Sequence, residues 1–296
     1  MKNKICIGTG LISLDILMRN NEQNAVSLKV GGTCGNVIMI LAHMGWNTYP
    51  IARLDGSSYS QTLIGDMIKN GVHTSYVTTE QGGGAPIIIQ HNIVDKDGNP
   101  THKFTFRNNK GGFYLDYKPI TKHAAKIVVE SLTFKPDVFF FDRVNAATVY
   151  LSEYFKSIGT LVIFEPSIKS TESKQFKQCV MNSDIIKFSD QRINDINFTE
   201  VYEDKLFIQT CGDKGLRFKF LNFEWVQLPQ IPNDHIIDTA GAGDWTTAAL
   251  INLLSQSDKF PIPNFDPKDI KDFLMEAQKW GSMSCSYEGA RGMMEI

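Results

Sequence analysis

Runs of apolar residues alternate along the chain with segments whose apolar positions recur at helical spacing. Val138–Phe141 is apolar throughout, which is typical of a strand buried on both faces of a parallel sheet. Ser58–Asn70 instead has apolar residues three and four positions apart. The same patterns predict strands at Lys4–Gly8, Thr48–Ala52, Thr160–Phe164, Ile185–Phe188 and Leu206–Gln209, and helices at Asn36–Met44 and Lys268–Tyr287. This alternation predicts an α/β fold, a parallel sheet with helices on both faces.

One region departs from the alternation. Pro86–Arg107 contains two strand-like stretches around Asp95–Pro100, a turn rich in Asp, Gly and Asn, and this pattern predicts a β-hairpin. Leu11–Lys29 also lacks a helical pattern. We expect the two stretches to form a small antiparallel sheet beside the main one. The alternative is a simple surface hairpin.

Composition narrows the class of protein. The 296 residues carry a formal net charge of −2, which argues against a nucleic-acid or membrane partner held by bulk electrostatics. Hydrophobic residues make up 42% and charged residues 21%, as in soluble globular proteins, and the first apolar stretch is too short for a signal peptide or membrane span. The five cysteines are widely spaced without a CxxC pair, so we interpret them as reduced thiols of a cytoplasmic protein.

The most specific chemical signal is Asp238–Asp244, which reads D-T-A-G-A-G-D and leads into an apolar helical pattern. A loop of small residues that opens a helix presents backbone N–H groups and the positive end of the helix dipole, and both bind anions. Since Asp244 would repel phosphate, we interpret it as a general base beside a bound anion, kept ionised near neutral pH by its place at the helix start. The alternative is a glycine turn with Asp244 as a helix cap.

This run resembles the C-terminal signature of the ribokinase-like (PfkB) carbohydrate kinases, D-T-x-G-A-G-D. The resemblance implies a single ribokinase-like α/β domain over residues 1–296: a central, mostly parallel sheet flanked by helices, with a small β-sheet lid formed by about 11–30 and 85–110. It also implies that ATP, with Mg²⁺, phosphorylates a hydroxyl group of a small sugar or nucleoside. Lids of relatives often pair between subunits, so a homodimer through the lid is a further expectation.

Two N-terminal motifs extend the resemblance. Asp15 follows the first predicted strand, and residues 31–36 resemble the G-G-x-x-x-N signature. The resemblance assigns Asp15, Gly31, Gly32 and Asn36 to the phosphoryl acceptor. The chemistry of these residues supports an acceptor-binding role. A glycine pair lets the backbone approach a ligand closely, and a carboxylate together with an amide can bind vicinal diols. Each residue has a structural alternative, as a turn residue, a tight loop or a helix cap.

The nucleotide and phosphoryl sites are assigned from the later motifs. Gln209–Gly215 resembles the T-x-G-x-x-G loop, with a hairpin turn as the alternative interpretation. The resemblance assigns to the nucleotide Lys187, Thr210, Gly212, Gly215 and Ala240. The catalytic assignment is Asp244 as the base, with an anion hole formed by the backbone of Ala240, Gly241, Ala242 and Gly243.

One family motif is missing. Ser189–Arg192 stands where relatives carry N-x-x-E, which organises the magnesium and phosphate shell, and Glu165–Ser167 stands where they carry D-P-N. Asp238 is then the candidate metal residue. The departure favours an alternative function, a catalytically weak or inactive sensor of the same fold that binds a sugar or nucleotide, whereas the intact Asp244 favours a kinase. A P-loop enzyme and a dinucleotide-binding fold are excluded by their missing glycine motifs.

Overall fold

The computed structural model of the chain describes residues 4–19, 27–94, 100–106, 116–168, 170–257 and 262–296. Parts of the predicted lid, residues 20–26 and 107–110, and most of the predicted hairpin turn, residues 95–99, lie outside the described residues. The described part has the predicted α/β architecture, a large sheet between helices and a second, small sheet.

Thirteen strands occur in the described part of the chain. They are Ile5–Thr9 (β1), Ser13–Arg19 (β2), Ser27–Gly31 (β3), Asn47–Leu54 (β4), Val77–Thr79 (β5), Ile87–Val94 (β6), Pro100–Thr105 (β7), Val138–Phe141 (β8), Leu161–Phe164 (β9), Ile185–Ser189 (β10), Leu206–Thr210 (β11), Leu216–Phe220 (β12) and Val226–Leu228 (β13). Nine form one sheet in the order β13-β12-β11-β10-β9-β8-β1-β4-β5. The neighbouring pairs from β11 to β5 are parallel, and β12 and β13 extend one edge as antiparallel strands.

Helices cover both faces of this sheet. They are Thr33–His43 (α1), Ser58–Lys69 (α2), Lys122–Ser131 (α3), Ala146–Ser157 (α4), Lys174–Asn182 (α5), Ala242–Gln256 (α6) and Pro267–Ser284 (α7). Strand side chains alternate between the two layers: Phe140 of β8 joins the core with α1, α2, α6 and α7, while Phe139 and Phe141 join the core with α3, α4 and α5. All three phenylalanines are fully buried, as expected of a central strand.

The small sheet has the order β3-β2-β6-β7. Its outer pairs are antiparallel, but β2 and β6 run parallel, so the expectation of a purely antiparallel sheet is wrong. The reason is topological, since β2 and β6 are joined through α1, β4, α2 and β5 rather than by a hairpin turn. In its register Asp15 lies opposite Lys29 on one side and Ile88 on the other.

Strand order places the candidate site. The chain builds outward from β1 to β4 and β5, then returns to the other side of β1 with β8, β9 and β10. The point between β1 and β8 is therefore where the strand order reverses, and ligands of open α/β sheets bind outside the carboxyl ends of strands at such a point. The small sheet follows β1 directly, so it stands beside this edge.

Element boundaries differ from the predictions by up to three residues, as at the start of α1 and the end of α7. β8 has the predicted bounds, whereas α1 begins at Thr33 instead of Asn36, because Gly32 ends the extended chain with a φ of 76° and the helix follows at once. Asn36 is thus inside the first turn of α1 and is not its cap.

All five cysteines are free thiols, as interpreted. Among the described helices, none combines the length and the apolar character needed to cross a membrane.

Candidate active site

The signature loop ends in a left-handed turn that starts α6. Gly241 has a φ of 80°, and a Cβ there would lie 2.5 Å from the Cβ of Ala290, so glycine is required on both counts. The helix begins at Ala242, which puts Asp244 in its first turn. The Asp244 carboxylate accepts a hydrogen bond from Asn36 Nδ2 at 2.7 Å. The residues predicted for catalysis and for acceptor binding are therefore in contact.

Two backbone donors of this loop are already engaged. The N–H group of Ala240 donates to Asp238 Oδ1 at 2.9 Å, and that of Ala242 makes a long contact of 3.4 Å with a carbonyl of the same loop. N–H groups at the start of a helix have no intrahelical acceptor. The anion hole stays a prediction, for which the N–H groups of Gly241 and Gly243 are the best-placed donors, while that of Ala240 stabilises the loop itself.

The electrostatics around Asp244 differ from the prediction. Burial of the carboxyl group, followed by the negative charge of Glu165, raises the pKa of Asp244 above its ordinary value, while Asn36 and Lys187 act in the opposite direction. The expectation that the helix start keeps this carboxyl ionised near neutral pH is wrong here, because desolvation and a neighbouring carboxylate outweigh the helix dipole. A raised pKa makes the ionised carboxylate a stronger base, although a smaller fraction of Asp244 is ionised near neutral pH.

A buried lysine lies directly against the loop. Lys187 of β10 is only 3% exposed, and its Nζ is 2.7 Å from Oε1 of Glu165, which follows β9. The second oxygen of Glu165 accepts a hydrogen bond from Thr247 Oγ1 of α6 at 2.8 Å. A Cβ on Gly243 would lie 3.5 Å from Lys187 Nζ, so the ammonium group touches the first turn of α6. Lys187 is thus a cation at the helix end predicted to bind an anion.

Asp142 belongs to the same centre and was not among the predicted residues. It follows β8, is fully buried, and accepts hydrogen bonds from the backbone N–H of Leu11 at 2.8 Å and from Arg143 Nη1 at 2.9 Å. Burial raises the pKa of Asp142, with Arg143 opposing. Its sequence signal was its position directly after an all-apolar strand, at the edge where parallel sheets place functional side chains.

The acceptor side is built around Asp15 of β2. Ser13 Oγ donates to Asp15 Oδ1 at 2.7 Å, and burial raises the pKa of Asp15 to about 6 against the hydrogen bonds from Ser13 and from the backbone of Gly32. A Cβ on Gly31 would overlap the Asp15 carboxylate, so this position admits only glycine. The predicted acceptor residues therefore form one cluster beside the start of α1.

Asp15 and Asn36 line a cleft between the small sheet and the C-terminal segment. Lys29, Gln90 and Arg291 also line it. Two buried side chains there have a polar atom without a hydrogen-bond partner among the described residues, Oδ1 of Asn36 and Nε of Arg291. An unsatisfied buried polar group costs roughly 1–3 kcal/mol, so this cleft is suited to a ligand that supplies both a donor and an acceptor.

Asp238 connects the small sheet to the signature loop. Its Oδ2 accepts hydrogen bonds from the backbone of Gly289 at 2.9 Å, from Asn92 Nδ2 at 3.3 Å and from Gln90 Nε2, while His102 Nδ1 lies 3.1 Å from Oδ1. Burial opposes ionisation, but His102 and the backbone donors hold the pKa of Asp238 below its ordinary value. Gln90, Asn92 and His102 were not among the predicted site residues, and their signal in the sequence was the alternation of polar positions along the two strands.

The metal assignment of Asp238 stays a prediction. Both of its oxygens already lie near hydrogen-bond donors, as described above. The part of the chain that the structure describes contains no group of three or more His, Cys, Asp or Glu residues arranged to hold a metal ion.

The predicted nucleotide loop is the hairpin between β11 and β12. Thr210 ends β11 and pairs in register with Ser189 of β10, and a short 3₁₀ turn from Gly212 to Lys214 leads to Gly215. The hairpin interpretation is therefore correct, and it is compatible with the predicted nucleotide role. The hairpin stands at the carboxyl edge of the sheet beside the strand of Lys187, on the side of the site away from the small sheet.

The two departures from the family motifs contact each other. Arg192 occupies the last position of the expected N-x-x-E, and its Nη1 donates to Ser167 Oγ at 3.1 Å. Ser189 Oγ accepts a hydrogen bond from the backbone of Gln191 at 3.1 Å. A guanidinium group thus stands where a carboxylate was expected, which adds positive charge to this edge and removes a ligand that a hard cation prefers.

Known proteins resemble the chain along its whole length. The model of the pfkB family carbohydrate kinases matches residues 1–296. The chain is 22% identical over 287 residues to fructokinase-2 of Solanum habrochaites, an alignment that covers 88% of this chain and 82% of that protein.

Solved structures share the fold. The fructokinase of Vibrio cholerae O395, bound to fructose, ADP and calcium, matches with a TM-score of 0.73 at 16% identity, covering 98% of this chain and 96% of that one. The aminoimidazole riboside kinase of Salmonella enterica, complexed with aminoimidazole riboside and an ATP analogue, matches with a TM-score of 0.70 at 16% identity and the same coverage. Because the family model spans all 296 residues, the chain belongs to the pfkB family of carbohydrate kinases and is a sugar kinase.

Proposed function

We propose that the protein transfers the γ-phosphoryl group of ATP to a hydroxyl group of a sugar or nucleoside bound in the cleft, with Asp244 as the general base. The observation that carries the proposal is the 2.7 Å hydrogen bond from Asn36 to Asp244, which joins the acceptor residues to the anion-binding loop. The Vibrio cholerae relative was solved with fructose and ADP, which supports a sugar and an adenine nucleotide as the two substrates.

In the proposed reaction the attacking hydroxyl lies beside Asp244, whose free oxygen takes the proton. The hydroxyl oxygen bonds to the γ-phosphorus as the bond between that phosphorus and the bridging oxygen breaks, and ADP leaves. The raised pKa of Asp244 makes its ionised form a stronger proton acceptor, and the positive charge of Lys187 favours that form. Asn36 orients the carboxylate through its hydrogen bond.

Charge on the transferring group is stabilised by the first turn of α6. The N–H groups of Gly241 and Gly243 point to the anion from the positive end of the helix, and Lys187 adds a full charge beside them. Glu165 holds Lys187 in place through their 2.7 Å ion pair. Preorganised donors of this kind act without reorganisation during the reaction.

Mg²⁺ is expected to accompany ATP through its phosphate oxygens, where it neutralises charge on the phosphates. Asp238 stays the predicted metal residue, although both of its oxygens accept hydrogen bonds and Arg192 stands where relatives carry a carboxylate.

The small sheet is proposed to act as the lid of a single domain spanning residues 1–296. Gln90 and Asn92 extend from it to Asp238, beside the phosphate loop, so the sheet covers the cleft from one side. Excluding water matters because water competes with the acceptor as nucleophile. A homodimer through the outer side of this sheet stays a prediction.

ADP release with Mg-ATP across neutral hexoses, pentoses, sugar acids and nucleosides tests the function. Asp244→Asn is compared with the wild type, and Asp272→Asn, a change at an exposed aspartate of α7, serves as the matched control. We expect acceptor-dependent turnover that falls by about 10²–10⁴-fold in Asp244→Asn alone. Turnover that survives in Asp244→Asn would remove its role as base.

The exchange of a carboxylate for Arg192 favours one other candidate function, a sensor that binds sugar or nucleotide without turnover. The same samples distinguish it. A rise in Tm with ATP or sugar, without ADP release from any acceptor, would favour the sensor.

A further inference from the structure

Every cation that lines the acceptor cleft is already paired with a carboxylate. Arg291 is 6% exposed, and its Nη2 binds Asp66 Oδ2 of α2. The same aspartate accepts hydrogen bonds from the backbone of Val30 at 2.7 Å and from Asn70 Nδ2 at 3.0 Å, so its position is fixed. The guanidinium group therefore enters the cleft with its charge compensated.

Lys29, the second cation that lines the cleft, is also paired with a carboxylate. Lys29, opposite Asp15 in the small sheet, pairs with Glu295 of the C-terminal segment. Glu288, which also lines the cleft, pairs with Arg19, whose Nε lies 2.9 Å from it. Among the described lining residues, Asp15 is the carboxylate without an ion pair, although the charge of Arg291 favours its ionised form. The cleft therefore carries a net negative charge when Asp15 is ionised.

The unpartnered atoms in the cleft match hydroxyl groups. Nε–H of Arg291 is a donor, while Oδ1 of Asn36 is an acceptor, and Asp15 supplies further acceptor sites. A hydroxyl group donates and accepts, so a polyol can satisfy all of these atoms. A carboxylate or phosphate only accepts, and it would face two acceptors of like polarity without a free cation to offset its own charge.

We propose that this kinase selects an uncharged polyhydroxyl acceptor and discriminates against sugar acids and sugar phosphates, with Arg291, neutralised by Asp66, as the specificity-determining residue. The inference rests on the proposed kinase function and narrows its acceptor. Arg291 acts as a hydrogen-bond donor to a neutral oxygen rather than as a cation for an anion.

Matched pairs of neutral and charged sugars test this inference: D-glucose with D-glucuronate, D-galactose with D-galacturonate, D-fructose with D-fructose 6-phosphate, and D-ribose with D-ribose 5-phosphate. Two readouts are used, the shift in Tm caused by each sugar without ATP and kcat/KM from ADP release. For the wild type we expect at least one neutral sugar to raise Tm and to exceed its charged partner at least tenfold in kcat/KM. A charged sugar that is preferred over its neutral partner overturns the inference.

Two variants weaken the preference for neutral sugars in different ways. Asp66→Asn exposes the charge of Arg291, so the ratio of kcat/KM for neutral over charged sugar is expected to fall about tenfold. Arg291→Met removes the donor and leaves Asp66 charged, so KM for the neutral sugar rises with kcat largely unchanged and charged sugars gain nothing. Glu276→Gln, which breaks an exposed ion pair with Lys279, is the matched control.

The outcomes separate this inference from the proposed function. Turnover with an unchanged ratio in Asp66→Asn, together with unchanged KM in Arg291→Met, overturns the specificity role and leaves the kinase function standing. Absence of both turnover and a Tm shift with every sugar overturns both. If Asp66→Asn is poorly folded, Arg291→Met alone decides.

Discussion

The proposed acceptor cleft and the proposed phosphoryl-transfer centre differ in what surrounds their unpaired carboxyl groups, Asp15 and Asp244. In the cleft, Arg291 pairs with Asp66, and Lys29 pairs with Glu295, so the basic groups are compensated. In the centre, Asp244 lies within the electrostatic reach of two further carboxylates, and its pKa is raised.

The centre has more acidic than basic groups close together. Asp142, Glu165 and Asp244 interact there with Arg143 and Lys187. An imbalance of this kind raises carboxyl pKa values and is typical of functional sites. In both regions the basic groups are paired and one carboxyl group, Asp15 or Asp244, has no ion-pair partner. The difference is that burial alone raises the pKa of Asp15, whereas burial and two neighbouring carboxylates raise that of Asp244, the proposed base.

The largest expected effect is a separation of activity from stability at Asp244. Asp244→Asn should lose turnover by about 10²–10⁴-fold and yet raise Tm, because the buried, repelled carboxylate is removed.

The raised pKa of Asp244 means that the folded wild type binds this proton more tightly than the unfolded chain. Stability from that proton is present at low pH and is lost as pH rises through the raised pKa. The gain in Tm of Asp244→Asn should therefore grow with pH, as measured by thermal unfolding from pH 5 to 8.5. A Tm below that of the wild type at the alkaline end would contradict the raised pKa.

A smaller effect concerns the pH dependence of the reaction. Glu165→Gln removes the charge that repels the Asp244 carboxylate, so the acidic limb of kcat/KM should move to lower pH by about 1 unit. Lys187→Met removes an attracting charge, so the limb should move to higher pH as the rate falls. The pH–rate profiles of the two variants check this. If the acidic limb moves in the same direction in both variants, it reports the ionisation of a group other than Asp244.

Substitution of Gly31 tests the position of Asp15 in the cleft without changing the residues around Asp244. Gly31→Ala would push the Asp15 carboxylate out of place, so KM for the acceptor should rise about tenfold, and stability should fall by about 1–3 kcal/mol. Gly65→Ala, at a position of α2 where a Cβ meets no atom within 4 Å, is the control and should stabilise by about 0.4–1 kcal/mol. Denaturant unfolding and steady-state kinetics measure both. Equal behaviour of the two variants would remove the close approach to Asp15 as a constraint.

The smallest effect is expected at Arg192. Its side chain is exposed, and its contact is a single hydrogen bond to Ser167, so Arg192→Ala should change stability by less than about 1 kcal/mol. KM for ATP should rise a few-fold, because one positive charge leaves the donor side of the site. Steady-state kinetics with ATP varied provide the measurement. A loss as large as that of Asp244→Asn would place Arg192 within the catalytic machinery.

Local patterns predicted most of the fold. Val138–Phe141 was placed correctly because an apolar run between turn residues is a short-range signal. Asn36, Asp15 and the signature loop were found through motifs, and the structure brings Asn36 and Asp244 into contact across 208 positions.

The remaining features depend on which distant segments meet. Nothing near Arg291 in sequence indicates Asp66, since the partners are 225 positions apart. The pKa of Asp244 could not be read from its helix position, because it depends on burial and on Glu165 of another strand. The parallel pairing of β2 with β6 likewise depends on topology rather than on local alternation.

Contacts between the small sheet and the C-terminal segment have a consequence for synthesis. Arg19 and Glu288 are 269 positions apart, and Lys29 and Glu295 are 266 apart. At roughly 5–20 residues per second, the ribosome needs about 10–50 s to deliver the partners of these early strands. During that interval β2 and β3 have left the ribosome while their final neighbours do not yet exist. All strands of the small sheet are made long before its ion-pair partners in the C-terminal segment, so the nascent sheet carries these basic side chains unpaired for a substantial time, and this is the stage at which a chaperone would be expected to bind it.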